Sequence, residues 1–142
     1  MKTSARNQFH GTIGSVDLAP VSAQVVINLA GGIAIVAAMT RASAERLKLR
    51  PGQAAVALIK ASAVALVTDF DGYSLSARNQ FPGTVSRLER GAVSSIVGVD
   101  NGAGLCVLAS VTNDAVDELG LVVGKPATAI VKAYAVMVGV KG

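Results

Sequence analysis

The stretch Ser4-Ala5-Arg6-Asn7-Gln8-Phe9 recurs as Ser76-Ala77-Arg78-Asn79-Gln80-Phe81. The offset, 76 − 4 = 72, then holds without a gap to the end of the chain. Gly11-Thr12 aligns with Gly83-Thr84, Val21-Ser22 with Val93-Ser94, and Thr40 with Thr112. Leu47 and Leu49 align with Leu119 and Leu121, Gly52 with Gly124, and Lys60-Ala61 with Lys132-Ala133. About a third of the aligned positions are identical. Two copies are too few for a solenoid, so the pattern is a tandem duplication of one small domain. The expected domains are residues 1–69 and 70–142. The segment Thr68 to Leu75 that joins them is too short to act as a flexible linker.

Each copy reads the same way. Arg6–Val16 alternates loosely and predicts a strand. Gln24–Leu29 and Ile33–Met39 predict two more, with Gly31-Gly32 as the turn of a hairpin. Thr40–Leu47 predicts a short helix, with Thr40 as its N-cap and Ala44 and Leu47 on one face. Pro51-Gly52 turns the chain, and Ala54–Lys60 and Ala63–Thr68 are the last two strands. The expected fold is all-β with one short helix per domain: two tandem OB-like five-stranded barrels in the order β-β-β-α-β-β.

Composition narrows the function classes. The chain has 142 residues, 51% hydrophobic but 4% aromatic, with no Trp, one Cys and one His. One Cys excludes an intrachain disulfide framework and a CxxC zinc site. One His excludes a multi-histidine metal centre within one chain. Few rings weaken any single-stranded nucleic-acid reading, which needs stacking platforms. Lys and Arg number 13 against 9 Asp and Glu, a formal charge of +4. Leu18 to Thr40 carries no charge. Its counterpart, however, places Asp100-Asn101-Gly102 in the middle, which fits a hairpin and not a membrane span. With no signal-type apolar run after the N-terminus and a free Cys, a cytoplasmic location is expected. A copy of roughly 70 residues is a marginal folding unit. The aliphatic excess therefore predicts apolar faces buried between copies and between chains, and an obligate oligomer.

The duplication compares the chain with itself. The polar residues kept in both copies are Ser4/Ser76, Arg6/Arg78, Asn7/Asn79, Gln8/Gln80, Thr12/Thr84, Ser22/Ser94, Thr40/Thr112 and Lys60/Lys132. No Asp or Glu is kept, nor the His. A site built from this set offers donors and two cations per copy, which suits an anion that only accepts hydrogen bonds. The same residues have a plainer reading as strand starts and as edge charges that block strand addition. His10 aligns with Pro82 and has no shared role. Cys106 aligns with Ala34 and reads as a small core residue. No nucleophile–base arrangement recurs in both copies, so no enzyme is expected.

The SARNQF segment followed by Gly-Thr, with a lysine in Ile59-Lys60-Ala61-Ser62 and Val131-Lys132-Ala133-Tyr134, resembles the Mop domain of molybdate-binding proteins. The resemblance covers nearly the whole chain, twice. A two-copy chain is similar to the di-Mop molbindins and to the effector half of the molybdate-responsive transcription regulator. As this chain starts at the SARN strand, the resemblance implies molybdenum storage and homeostasis rather than gene regulation. It implies molybdate as ligand, with tungstate as a close surrogate, and a trimer of two-domain chains with no nucleic-acid or membrane partner. Carried over residue by residue, the implied ligands are Ser4, Ala5, Arg6, Lys60, Ala61 and Ser62 in the first copy, with Ser43 and Arg46 on its helix. In the second copy they are Ser76, Ala77, Arg78, Lys132 and Ala133. There Ala115 replaces Ser43, Glu118 replaces Arg46 and Tyr134 replaces Ser62. A second class of site is implied at Val21, Ser22, Ala92, Val93 and Ser94, although Pro20 at the Ala92 position removes one N–H. The competing reading, from strand order and basic balance, is an OB-type single-stranded nucleic-acid module.

Overall fold

Alternating burial builds the sheets. In the first copy, β1 (Asn7–Leu18), β2 (Ser22–Asn28), β3 (Ala34–Thr40), α1 (Arg41–Arg46), β4 (Ala54–Ile59) and β5 (Val64–Val67) follow one another along the chain. The second copy repeats them as β6 (Asn79–Arg90), β7 (Ser94–Asp100), β8 (Cys106–Thr112), α2 (Asn113–Leu119), β9 (Pro126–Val131) and β10 (Met137–Gly139). The computed structural model describes every residue, Met1–Gly142. In β2, Ala23, Val25 and Ile27 point inward and alternate with half-buried residues, as a one-sided strand requires. All strand pairs are antiparallel, and both long first strands carry a bulge, at Ile13/Ser15 and at Val85/Arg87. Gly11 and Gly83 sit where β1 and β6 press against the neighbouring strand. A Cβ on either would strike a backbone carbonyl oxygen, that of Asn28 or Asp100.

The expected elements are present, with ends shifted by at most two residues. Thr40 caps α1 as expected, its hydroxyl accepting from the Ser43 N–H, and Thr112 caps α2 through the Ala115 N–H. Gly31-Gly32 lies in a short 3₁₀ turn, Ala30–Gly32, between β2 and β3. The join between copies is ordered: the Asp71 N–H donates to the Asp69 carboxylate at 2.8 Å, and the Tyr73 N–H to the Phe70 carbonyl at 2.8 Å.

The sheets do not follow the repeat. Their strand orders are β10-β4-β1-β2-β3 and β5-β9-β6-β7-β8. Each sheet takes four strands from one copy and the fifth from the other. Val64 of the first copy lies opposite Val131, and Met137 of the second lies opposite Leu58. Two 3₁₀ turns, Ala61–Ala63 and Ala133–Ala135, carry the chain across, the first packing against β8 and the second against β3. The exchange fuses the interiors. One apolar cluster of 22 buried residues runs from Ile13 and Val25 through Val85 and Val131, so the copies share a core. That arrangement relieves part of the size problem of a copy of roughly 70 residues.

Two buried asparagines lock the exchange. The Asn7 side-chain amide donates to the Leu108 carbonyl at 2.9 Å and to the Ile59 carbonyl at 3.2 Å, while its oxygen accepts from the Leu108 N–H at 2.8 Å. The Asn79 amide makes the mirror-image pair with Val36, accepting and donating at 2.8 Å. Val36 and Leu108 are related by the same 72-residue offset, and β3 and β8 are sheet edges. Each asparagine therefore supplies its opposite copy's edge strand with the donor and acceptor that a further strand would give. Both asparagines are 2% exposed, so losing either would leave part-buried backbone groups of the edge strand unpaired.

Candidate anion-binding site

The β1–β4 ladder ends at Asn7 opposite Ile59, and the β6–β9 ladder ends at Asn79 opposite Val131. One step beyond each, Arg6 adjoins Lys60 and Arg78 adjoins Lys132. The two cations kept in each copy thus sit at one corner of each sheet. All four are exposed. The three ion pairs of the chain are Arg41–Glu45, Arg87–Glu89 and Arg90–Asp117, and none uses a corner cation. The corners therefore hold positive charge that no carboxylate neutralises.

The exchange links the corners through the crossing turns. Lys60 is four residues from Val64, the ladder partner of Val131, and four residues of chain span at most about 14 Å. Ala61 is buried and Ser62 exposed on the turn that makes this crossing, and the Lys60 carbonyl accepts the Ala63 N–H at 2.9 Å. Ala133 and Tyr134 occupy the same places on the second turn, where the Ala135 N–H donates to the Lys132 carbonyl at 2.9 Å. In the SARN segments Ala5 is buried and Ser4 exposed. Ala77 is half-buried and Ser76 exposed. The Ala5 N–H donates to the Thr3 hydroxyl at 3.2 Å.

Ser43 and Arg46 lie apart from this constellation in the chain's own contacts. The Thr40 hydroxyl bonds the Ser43 hydroxyl at 2.9 Å, and Arg46 stands exposed in the last turn of α1. No hydrogen bond joins α1 to either corner. The second predicted class of site falls on two exposed turns. The Ala19 N–H donates to the Ser22 carbonyl at 2.8 Å, and the Gly91 N–H to the Ser94 carbonyl at 2.9 Å. Val21 and Val93 stand 80% and 74% exposed there, and Ala92 beside them is also exposed. Apolar side chains so open on both copies are surfaces without a cover in the single chain.

Four residues differ from their sequence reading or were missed by it. Asn7 and Asn79 belong to the retained donor set but are consumed internally, which leaves Ser, Arg and Lys for a ligand. Cys106 is half-buried rather than in the core. Its Sγ lies 3.8 Å from the Ser86 hydroxyl, on the side of β8 away from Val107 and Ala109. Gln24 was not anticipated. Its carbonyl oxygen accepts from the Arg78 guanidinium at 3.0 Å, a contact between copies across 54 residues of sequence. Gln24 also lines a surface cavity of about 310 Å³ with Ser22, Ala38 and Tyr134. Away from the corners, hydrogen bonds from Arg90 hold the Asp117 carboxyl below its usual value and raise Arg90.

Comparison with known proteins agrees with the duplication. The TOBE domain model matches residues 3–66 and again 75–138. The chain is 63% identical over 141 residues, 99% of its length, to the molybdenum transport protein ModE of Herbaspirillum seropedicae, and covers 52% of that protein. It is 38% identical over 133 residues to the molybdenum-pterin-binding protein MopA of Rhodobacter capsulatus, covering 94% of this chain and 50% of MopA. The chain thus spans about half the length of these curated relatives. Among solved structures, the cytoplasmic molybdate-binding protein ModG with molybdate bound superposes with a TM-score of 0.95 at 45% identity. That match covers 99% of this chain and 100% of ModG.

Proposed function

The chain belongs to the TOBE-domain family, in tandem, and from that membership and its paired corners we propose that it binds molybdate. The observation that carries the proposal is the pair of corners, Arg6 with Lys60 and Arg78 with Lys132, each free of a carboxylate and each beside SARN hydroxyls and N–H groups. Molybdate is a dianion with no proton to donate at neutral pH. A site made only of donors accepts it and penalises protonated phosphate, whose O–H would face another donor. Tungstate, of nearly equal size and charge, is accepted too. Sulfate differs in size alone, so the closeness of the pocket walls sets that discrimination.

In this reading Ser4, Ala5, Arg6, Lys60, Ala61 and Ser62, and Ser76, Ala77, Arg78, Lys132 and Ala133, line sites at the corners. Ser43 and Arg46 of α1 complete sites from a neighbouring chain. A three-chain assembly covers Val21 and Val93, and the N–H groups of Ser22, Ala92 and Ser94 serve a second class of site near its axis. Anion held between subunits then stabilises the assembly by mass action. The role is cytoplasmic storage and homeostasis of molybdenum, with no catalysis. No helix is long and apolar enough to cross a membrane. The scarcity of rings favours this reading over a nucleic-acid module: with Phe81 buried and Phe9 half-buried, Phe70, Tyr73 and Tyr134 alone remain for stacking bases.

Calorimetric titration with molybdate in phosphate-free buffer is the test. Saturable heat, competed by tungstate, is expected. No heat at millimolar ligand sinks the proposal. The double variant K60A/K132A should lose at least tenfold in affinity, the scale of one charge-assisted contact; unchanged affinity removes the lysines from the site.

A further inference from the structure

The two corners carry the same cations but not the same surroundings. Arg78 is anchored: its Nη1 donates to the Gln24 oxygen at 3.0 Å. Gln24 is half-buried on β2 of the opposite copy, fixed by the ladder that pairs it with Ala38. The position 72 residues on is Ile96, which has no acceptor, and Arg6 makes no side-chain hydrogen bond. A guanidinium has five donors in a planar fork, so one bond to Gln24 leaves the rest of the fork open to an oxyanion. It also fixes the plane of the fork before the ligand arrives.

Resting on the molybdate reading, we propose that Gln24 is a positioning residue, which preorders Arg78 and gives the second copy's corner an affinity advantage that Ile96 denies to the first. Immobilising a long side chain in advance removes part of the ordering cost of binding. The expected advantage is between about twofold and tenfold. Gln24 touches Arg78, not the anion, and acts through it alone.

The experiment is molybdate titration of the full chain, unaltered and as Gln24→Met, which keeps the volume and removes the acceptor. One class of sites should weaken by about twofold to tenfold while the other is unchanged, with the ligand-free melting temperature unaltered. In an Arg78→Ala background, Gln24→Met should have no further effect, since a double-mutant cycle reports only what passes through the shared contact. A merely structural role would give the same loss in both backgrounds and overturns the proposal. If Gln24→Met does not fold, Ile96→Gln decides: it should tighten the first corner, and unchanged binding overturns the inference. No heat from the unaltered protein overturns the molybdate reading and this inference together. Heat from the unaltered protein, with Gln24→Met indistinguishable from it, overturns this inference alone.

Discussion

The two copies are alike where they hold each other and unlike where they face outward. Asn7 and Asn79 make the same clip on Leu108 and Val36, and Lys60 and Lys132 begin the same crossing turn. Around the corners the match fails. Ser62 faces Tyr134 across the duplication, Gln24 faces Ile96, Ser43 faces Ala115, and Arg46 faces Glu118. Even the helix ion pairs differ. The first copy links Arg41 to Glu45 within α1, whereas the second ties Arg90 at the end of β6 to Asp117 on α2. A strand exchange constrains both copies at once, because each edge must accept the other's fifth strand. The outer rim answers to no such reciprocity and has diverged.

The largest effect should come from cutting the comparison in two. Residues 1–69 and 70–142 made separately each lack the strand that completes their sheet. Each should be unfolded or self-associated alone, and mixing the two should restore the native circular dichroism spectrum and a one-to-one complex. A folded monomer from either half would contradict the exchange. Next come the clips. Asn79→Ala leaves the Val36 N–H and carbonyl unpaired and should cost about 3 kcal/mol in chemical denaturation. Asn7→Ala, which also gives up the bond to Ile59, should cost at least as much. Gly11→Ala and Gly83→Ala force a Cβ against a backbone carbonyl oxygen, and each should cost about 1–3 kcal/mol, nearly equal because the carbonyl clash is alike, with the Leu29 side chain a further obstacle at Gly11. Unequal losses would show that the copies relax differently.

The smallest effect separates the copies by pH. Asp117 has its pKa lowered by Arg90, so its contribution is present above the ordinary carboxylate range. It is lost as pH falls through the lowered value. Asp117→Asn should flatten that acid limb slightly, and the pair is exposed enough that the change at neutral pH should be hardly measurable.

Much of this was readable in the chain. The 72-residue offset gave the duplication, Thr40 and Thr112 announced the helix starts, and strand patterning supplied the element order. The exchange was not readable, for a physical reason. Val64 finds Val131 where a closed copy would offer Ile59, and the strands Ala54–Ile59 and Pro126–Val131 present nearly the same apolar ladder. Duplication makes the native and the alternative partner chemically equivalent, so pattern cannot choose between them. The corner cations were legible because they recur. Gln24 was not, because it has no counterpart and its partner lies in the other copy. Asn7 was seen as polar and retained, but nothing in a sequence distinguishes an amide turned inward to a backbone from one turned outward to a ligand.

The order in which the chain leaves the ribosome gives the exchange a cost in time. β4 is complete by Ile59, yet the strand that covers its edge, Met137–Gly139, is made about 80 residues later. Until that strand emerges, the first sheet carries an open, apolar edge, the kind of surface on which nascent chains stick to one another. Native pairing across some 80 residues closes it only once that strand has emerged, and such distant contacts form slowly. The finished protein is interlocked, and its birth is correspondingly exposed. Chaperone dependence during expression, relieved once β10 is out, is the cellular signature to look for.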